Sequence, residues 1–192
     1  LATKYIPSFH LSGDFFSVVQ TEDGNAAILV ADVMGHGVRA AMVTAMIQIA
    51  VQQLQVFASR PAEFMTRLNN LMKQTMQPTG QTIFATAVYC HIDLESKQLT
   101  YTQAGSRHGV HVPSGDSRKA CVFDSSAIST ALGLLPDTQY DESTMTLETG
   151  DEILLYTDGI IEAAMGDEEY SEDRMVNFLM EHRRENLTDM LD

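Results

Sequence analysis

The pattern of apolar residues in the first third of the chain changes from that of strands to that of a helix. Residues 13–20 (GDFFSVVQ) and 26–33 (AAILVADV) flank the turn TEDGN, and both are rich in apolar residues. They predict two neighbouring strands, and the nearly continuous apolar run of the second strand indicates that it is buried. After MGHG, residues 38–57 are apolar on almost every side, which predicts a helix buried between layers.

A second helix and several further strands are predicted downstream. The helix follows Pro61, and its apolar residues recur every three or four positions, namely Phe64, Leu68, Leu71, Met72 and Met76. IFATAVYCHIDL and QLTYTQAG then flank the turn ESK, a hairpin is expected around Pro113 to Asp116, and TMTLETGDEILLYTDG contains two strands about the turn TG. The tail from Ser171 onward has a helical pattern. Strands joined by hairpins, with grouped helices, predict an α+β fold with antiparallel sheets.

Composition narrows the classes of function. The 192 residues include 26 acidic and 12 basic side chains, giving a formal net charge of -14. Such a chain repels nucleic-acid phosphates and anionic lipids, so neither nucleic acid nor a membrane is an expected partner. The two cysteines form no CxxC motif and the N-terminus lacks the features of a secretory signal, which predicts a cytoplasmic protein. No linker or repeat divides the chain, so residues 1–192 are predicted to form one domain.

Two apolar strands end in an aspartate that glycine follows within a few residues, at Asp32 and at Asp158. A carboxylate at the end of a buried strand is costly unless it is paired or bound to a cation. Asp14 joins them if the first hairpin has an odd loop centred on Asp23, because Asp14 and Asp32 then oppose each other on one face. A two-residue turn at Asp23 and Gly24 would place them on opposite faces. We predict the odd loop.

Carboxylates grouped in this way predict a magnesium or manganese site, because no histidine or cysteine at metal spacing accompanies them. Two such cations can share one deprotonated water, which is suited to attack on phosphorus. The helix after MGHG would direct its N-terminal amides to the same region. The predicted reaction is hydrolysis of a phosphate ester. The alternative is that the aspartates only cap turns.

Five segments together resemble the motifs of the metal-dependent (PPM, type-2C-like) serine/threonine phosphatases, in their bacterial SpoIIE and RsbU branch. They are SGDFF at 12–16, ADVMGHG at 31–37, LTYTQAG at 99–105, LGL at 132–134 and GDEILLYTDGIIEA at 150–163. The resemblance implies a four-layer αββα sandwich of two antiparallel sheets flanked by helix pairs. It also implies a protein phosphatase that acts on a phosphorylated anti-sigma-factor antagonist in partner switching. An upstream sensory or receiver domain would control it through the first helix pair, roughly residues 38–57 and 61–76.

The resemblance further implies roles for single residues. Asp32 would bridge two divalent cations, Mn or Mg. Asp14 and the backbone carbonyl of Val33 would hold the second cation, and Asp158 would hold the first.

The residues near these acids would shape the loop or contact substrate, namely Gly35, His36, Gly37, Arg39 and Gly159. His36 is a candidate general acid, but packing beneath the loop is the favoured interpretation. Arg39 and Arg107 are candidates for a phosphate contact, but a solvated surface role is the favoured interpretation of each. Glu162 is interpreted as a helix-start acid rather than a ligand.

Three departures from the family pattern bear on activity. Ser12 stands where the family has the first glycine of GGD, and Ser106 stands where it has a histidine, with His108 two places on. The Asp-Asp-x-Thr strand that completes the first metal site in the family does not follow. Either the sequence stops short of that strand or the first metal is weakly held. The abrupt start inside a strand favours a C-terminal fragment of a longer regulator. A catalytically inactive module that regulates a partner by docking is the second hypothesis, and formation of a homodimer stays open.

Overall fold

The computed structural model describes residues 1–7, 12–21, 23–76, 82–105, 109–115, 118–165, 168–183 and 185–191. Its helices are α1 (Val38–Gln53), α2 (Pro61–Met76), α3 (Glu172–His182) and α4 (Leu187–Met190). Its strands are β1 (Asp14–Gln20), β2 (Ala26–Val33), β3 (Ala85–Asp93), β4 (Gln98–Ala104), β5 (Gly109–Val112), β6 (Cys121–Val122), β7 (Ile128–Ser129), β8 (Ser143–Thr146), β9 (Glu152–Leu155), β10 (Ala164–Met165) and β11 (Glu168–Glu169).

The large sheet has the strand order β1-β2-β3-β4-β7, and β8 also pairs with β4. Its pairings are antiparallel except that between β4 and the two-residue strand β7. Alternate residues of β2 are buried against the helix pair α1 and α2, because successive side chains of a strand point to opposite faces. The rings of Phe64 on α2 and Tyr89 on β3 stack with centroids 4.1 Å apart in this layer.

The small sheet has the order β6-β5-β9 and packs on the other face of the large sheet. The core between the sheets contains Val88, Cys90 and Leu99, and the rings of Tyr101 and Phe123 stack there at 4.1 Å. The far face of the small sheet is covered by α3 through Met175 and Leu179. Helices, two sheets and helices thus form the predicted αββα sandwich.

The two strands predicted about the turn TG belong to different sheets. Strand β8 pairs with β4 in the large sheet, whereas β9 pairs with β5 in the small sheet. The turn at residues 149–150 therefore carries the chain from one sheet to the other. The hairpin predicted around Pro113 is confirmed by the antiparallel pairing of β5 with β6, while Asp116 lies outside the described residues.

Helix α1 is shorter than predicted and more exposed to solvent. It ends at Gln53, and a separate 3-10 turn spans Gln55–Phe57. It is also not buried between layers: Val38, Met42 and Ile49 are 65%, 64% and 56% exposed. The helix lies in the outermost layer, so only the face toward the sheet can be buried although the sequence is apolar on all sides.

Within the described parts of the chain, none of the helices has both the length and the apolar character that a membrane span needs.

Candidate metal centre

The first hairpin brings Asp14 and Asp32 together. Asp14 at the start of β1 is the direct cross-strand partner of Asp32 near the end of β2. The loop between the strands is centred on Asp23, whose carboxylate accepts hydrogen bonds from the Thr21 hydroxyl and, at 2.9 Å, from Asn25 Nδ2. The odd loop is confirmed, and the two acids share one face of the large sheet.

The same row continues into the third strand. Asp32 is paired with Thr86 on β3, so the side chains of Asp14, Asp32 and Thr86 lie side by side. Directly opposed residues on antiparallel strands have Cβ atoms about 5 Å apart. This face of the sheet is the one that meets the small sheet further along, through Val88 and Cys90.

Asp158 approaches this row from the small sheet, three residues after the end of β9. Burial, followed by the negative charges of Asp14, Asp158 and Glu162, raises the pKa of Asp32 to about 6. Asp14 and the pair Asp158 and Glu162, which come from distant parts of the chain, therefore lie close enough to repel the charge on Asp32. Within the described ranges, no salt bridge involves Asp14, Asp32 or Asp158.

Gly13 is a part of the site that sequence reasoning missed. A Cβ atom on this residue would lie 2.3 Å from the backbone oxygen of Val33 and 3.1 Å from Asp32 Oδ1. Only glycine therefore fits here, and the two oxygens border one small space beside the backbone of β1. The hairpin register could have indicated this, because the residue before Asp14 must lie against the residue after Asp32.

Ser12 fixes the carboxylate of Asp14. Its hydroxyl donates a hydrogen bond of 2.8 Å to Asp14 Oδ2 and accepts one of 3.1 Å from the Asp14 amide. The sequence shows this serine as a departure from GGD but does not predict its contact with the acid. The side chain restrains the aspartate that it precedes by two positions.

The loop after β2 has the geometry expected of its glycines. Gly35 and Gly37 have φ values of 93° and 79°, in the left-handed region that favours glycine. Helix α1 begins at Val38 without a side-chain cap and with no acidic residue in its first turn. Its first amides are therefore available to an anion.

Two predictions about neighbouring residues are wrong. His36 is exposed rather than packed beneath the loop, because the loop lies at the end of the sheet, outside the layers that bury Val33 and Ala40. Glu162 does not start a helix: its amide donates a hydrogen bond of 2.9 Å to the Asp158 carbonyl in a turn, and α3 begins only at Glu172.

Of the remaining candidate residues, Arg39 and Gly159 are exposed. Arg107, Ser106 and His108 lie outside the described residues.

The donor set fits a hard divalent cation in its chemistry. Asp14, Asp32 and Asp158 supply carboxylate oxygens and Val33 a carbonyl oxygen, the ligands that Mg²⁺ and Mn²⁺ prefer. Among the described residues, no three acidic, histidine or cysteine side chains stand close enough together to hold a metal as they are arranged. Side-chain rotation would have to bring the carboxylates together around a cation.

Comparison with known proteins gives consistent matches. Residues 22–192 match the model of the family described as Stage II sporulation protein E (SpoIIE). The chain is 29% identical to the phosphoserine phosphatase RsbU of Bacillus subtilis (strain 168) over 157 residues, which cover 82% of this chain and 45% of RsbU. The chain spans less than half the length of the curated relatives it matches.

Solved structures share the fold. The SiaA-PP2C domain of Pseudomonas aeruginosa superposes with a TM-score of 0.83 at 21% identity, covering 96% of this chain and 72% of that one. RsbX, solved in complex with magnesium, superposes with a TM-score of 0.62 at 25% identity, covering 97% of this chain and 84% of that one. These matches confirm the αββα sandwich.

Proposed function

This chain belongs to the SpoIIE family, and we propose that it is a divalent-cation-dependent protein serine/threonine phosphatase. The observation that carries the proposal is the convergence of three carboxylates on one end of the sandwich. Asp14 and Asp32 are cross-strand partners, and Asp158 reaches them from the other sheet. Within the described residues no salt bridge offsets the charge of these acids, and such a group suits a site that binds cations.

In this proposal each acid has a defined task. Asp32, at the centre of the row, would contact two cations. Asp14 and the Val33 carbonyl would complete the ligands of one, and Asp158 would bind the other. Manganese or magnesium held there would supply an activated water nucleophile and offset the negative charge that develops on the phosphate.

The chain's own residues would also bind and orient the phosphate. The uncapped N-terminus of α1 offers amide donors and a positive dipole end. Arg39 lies exposed in the first turn of the same helix, where its guanidinium could pair with two phosphate oxygens. Gly35 and Gly37 allow the backbone to turn sharply between Asp32 and this helix.

The proposed substrate is a phosphoserine or phosphothreonine on an anti-sigma-factor antagonist protein. The matched relative RsbU is named a phosphoserine phosphatase, which supports the serine ester. The relatives are more than twice as long as the segments they share with this chain, which supports a place within a longer regulator with a sensory or receiver domain. Both cysteines are free thiols, in keeping with a role in the cytoplasm.

A docking module without activity is the second candidate. The observation that favours it is that no three metal-binding side chains among the described residues are already in position to share a cation. Such a module would keep the fold and bind its partner without hydrolysis.

Manganese-dependent hydrolysis of p-nitrophenyl phosphate separates the two. The wild-type chain should hydrolyse the ester in millimolar Mn²⁺ and lose the activity in EDTA. Asp32→Ala should be inactive in both, since it removes the central ligand. Asp93→Ala is the matched control, because Asp93 caps an exposed turn far along the strand from the acidic row, and it should keep the wild-type rate. Equal rates for the wild type and Asp32→Ala would leave docking as the better account.

A further inference from the structure

We propose that Thr86 is a positioning residue for Asp32, whose hydroxyl group holds the carboxylate in the orientation that binds a cation. This role rests on the proposed metal-dependent function. It concerns a residue that lies outside the acidic set itself.

The placement of Thr86 follows from the strand register. Asp32 has two direct cross-strand neighbours: Asp14 on β1 and Thr86 on β3. All three side chains therefore project from the same face, and Thr86 flanks Asp32 on the side away from Asp14. Cβ atoms of directly opposed residues are about 5 Å apart, so rotation of the Asp32 side chain can bring a carboxylate oxygen within reach of this hydroxyl.

The methyl group of Thr86 lies on the side of the residue that faces β4. Its methyl carbon Cγ2 lies 3.2 Å from where a Cβ on Gly105 would stand, so the methyl group fills the space on the β4 side. The oxygen Oγ1 is buried and has no hydrogen-bond partner among the described residues. A buried hydroxyl without a hydrogen-bond partner lowers the stability of the fold. A functional role for the hydroxyl would explain why such a group is retained.

Among the described residues, the Asp32 carboxylate lacks a hydrogen-bond donor such as the one that Asp14 has. Asp14 already accepts a hydrogen bond from the Ser12 hydroxyl, whereas no hydrogen bond to the Asp32 carboxylate occurs within the described ranges. A carboxylate has about four acceptor sites, so it can bind a cation and still accept a hydrogen bond. Donors of this kind fix the orientation of metal ligands and commonly change metal affinity by 10- to 100-fold.

Thr102 on β4 provides a matched control. Its hydroxyl is also buried and unpartnered among the described residues. It pairs with Tyr89, which packs against the helix pair, so Thr102 lies on the opposite face of the sheet from the acidic row. Loss of this hydroxyl should have the same local cost as loss of the Thr86 hydroxyl without affecting Asp32.

The test is the affinity of the purified chain for Mn²⁺, measured by calorimetry and by the electron paramagnetic resonance signal of free Mn²⁺. Thr86→Val keeps the shape and should weaken binding about 10- to 100-fold. Thr86→Ser keeps the hydroxyl and should bind within about threefold of the wild type, and Thr102→Val should bind as the wild type does. If Thr86→Val melts at a lower temperature, Thr86→Ala is titrated in its place with the same expectation.

The outcomes separate this role from the proposed function. If Asp32→Asn abolishes binding while the variants without the Thr86 hydroxyl bind like the wild type, the role of Thr86 is overturned and the metal site stands. If Thr86→Ser binds as weakly as Thr86→Val, the hydroxyl is not the cause and the role is likewise overturned. If Asp32→Asn binds Mn²⁺ like the wild type, both the metal site and the positioning role are overturned.

Discussion

Asp32 is the residue at which burial and negative charge act together most strongly. Its carboxylate is partly buried at the end of an apolar strand and is repelled by Asp14, Asp158 and Glu162. The resulting pKa of about 6 lies above the ordinary value of 3.8. The charged form of Asp32 therefore destabilises the metal-free fold: the cost begins above the ordinary pKa of 3.8, is complete above about 6, and is relieved by protonation as the pH falls.

The first prediction is that Asp32→Asn stabilises the metal-free protein while it abolishes hydrolysis. At pH 7 in EDTA, the free energy of unfolding should rise by about 1–2 kcal/mol, allowing for partial screening by solvent. The advantage of the variant should shrink as the pH is lowered from 7 to 5, because wild-type Asp32 becomes protonated. Urea denaturation at both pH values measures this, and a variant less stable than the wild type at pH 7 would contradict it.

Gly13 shows how one position without a side chain can shape the site. Its register partner is the strand end that carries Val33, and the Val33 amide donates a hydrogen bond of 3.1 Å to the Gly13 carbonyl. A methyl group here would push against the Val33 oxygen, which is one of the proposed ligands.

The second prediction is that Gly13→Ala destabilises the protein by about 1–3 kcal/mol and weakens Mn²⁺ binding. Gly115→Ala is the matched control, since an added Cβ there would meet nothing within 4 Å and the residue belongs to the loop after β5, outside the acidic site. Thermal melting and Mn²⁺ titration of both variants measure the difference. Equal behaviour of the two variants would show that the close approach at Gly13 is unimportant.

At the scale of elements, the β1–β2 hairpin was the part of the site that sequence could predict. Its register follows from a period of two and an odd loop, both of which are local features. The approach of Asp158 could not be derived in this way, because it depends on how the small sheet packs on the large one. The pairing of Thr86 with Asp32 was missed for a similar reason, since β3 follows only after the helix pair.

The small sheet is anchored to the turn before β9 by a second buried acid. Asp151 accepts hydrogen bonds from His111 Nε2 at 2.8 Å, from the Ser114 amide at 2.9 Å and from the Glu148 amide at 3.0 Å. Burial alone would raise the pKa of Asp151, but these hydrogen bonds outweigh it and lower the value to about 2. The charged carboxylate thus stabilises the fold.

The third prediction concerns acid unfolding. Because the folded pKa of Asp151 lies below its ordinary value of 3.8, its stabilisation is complete above about pH 4 and is lost as the pH falls toward 2. Asp151→Asn should lower the free energy of unfolding at pH 7 by about 1–3 kcal/mol. It should also flatten the loss of stability between pH 4 and 2. A variant with wild-type stability at both ends of this range would contradict the prediction.

At the scale of the whole molecule, Asp158 lies near Asp14 and Asp32 because two sheets meet at one end of the sandwich. The resemblance to the family predicted this architecture, which hydrophobic period alone could only narrow to an α+β fold. The same patterns misjudged α1: a helix that is apolar on every side was expected to be buried, yet its outer face is exposed at Val38, Met42 and Ile49. Helical period reports which residues are apolar, and it does not report how many layers cover them.

The crystal structure of the chain soaked with Mn²⁺ tests the convergence of the acids most directly. Anomalous scattering locates manganese without reference to activity, and we predict a peak between Asp14, Asp32 and the Val33 carbonyl, with a second peak beside Asp158. Manganese peaks only at other positions, with the carboxylates of Asp14, Asp32 and Asp158 turned to solvent, would contradict the account.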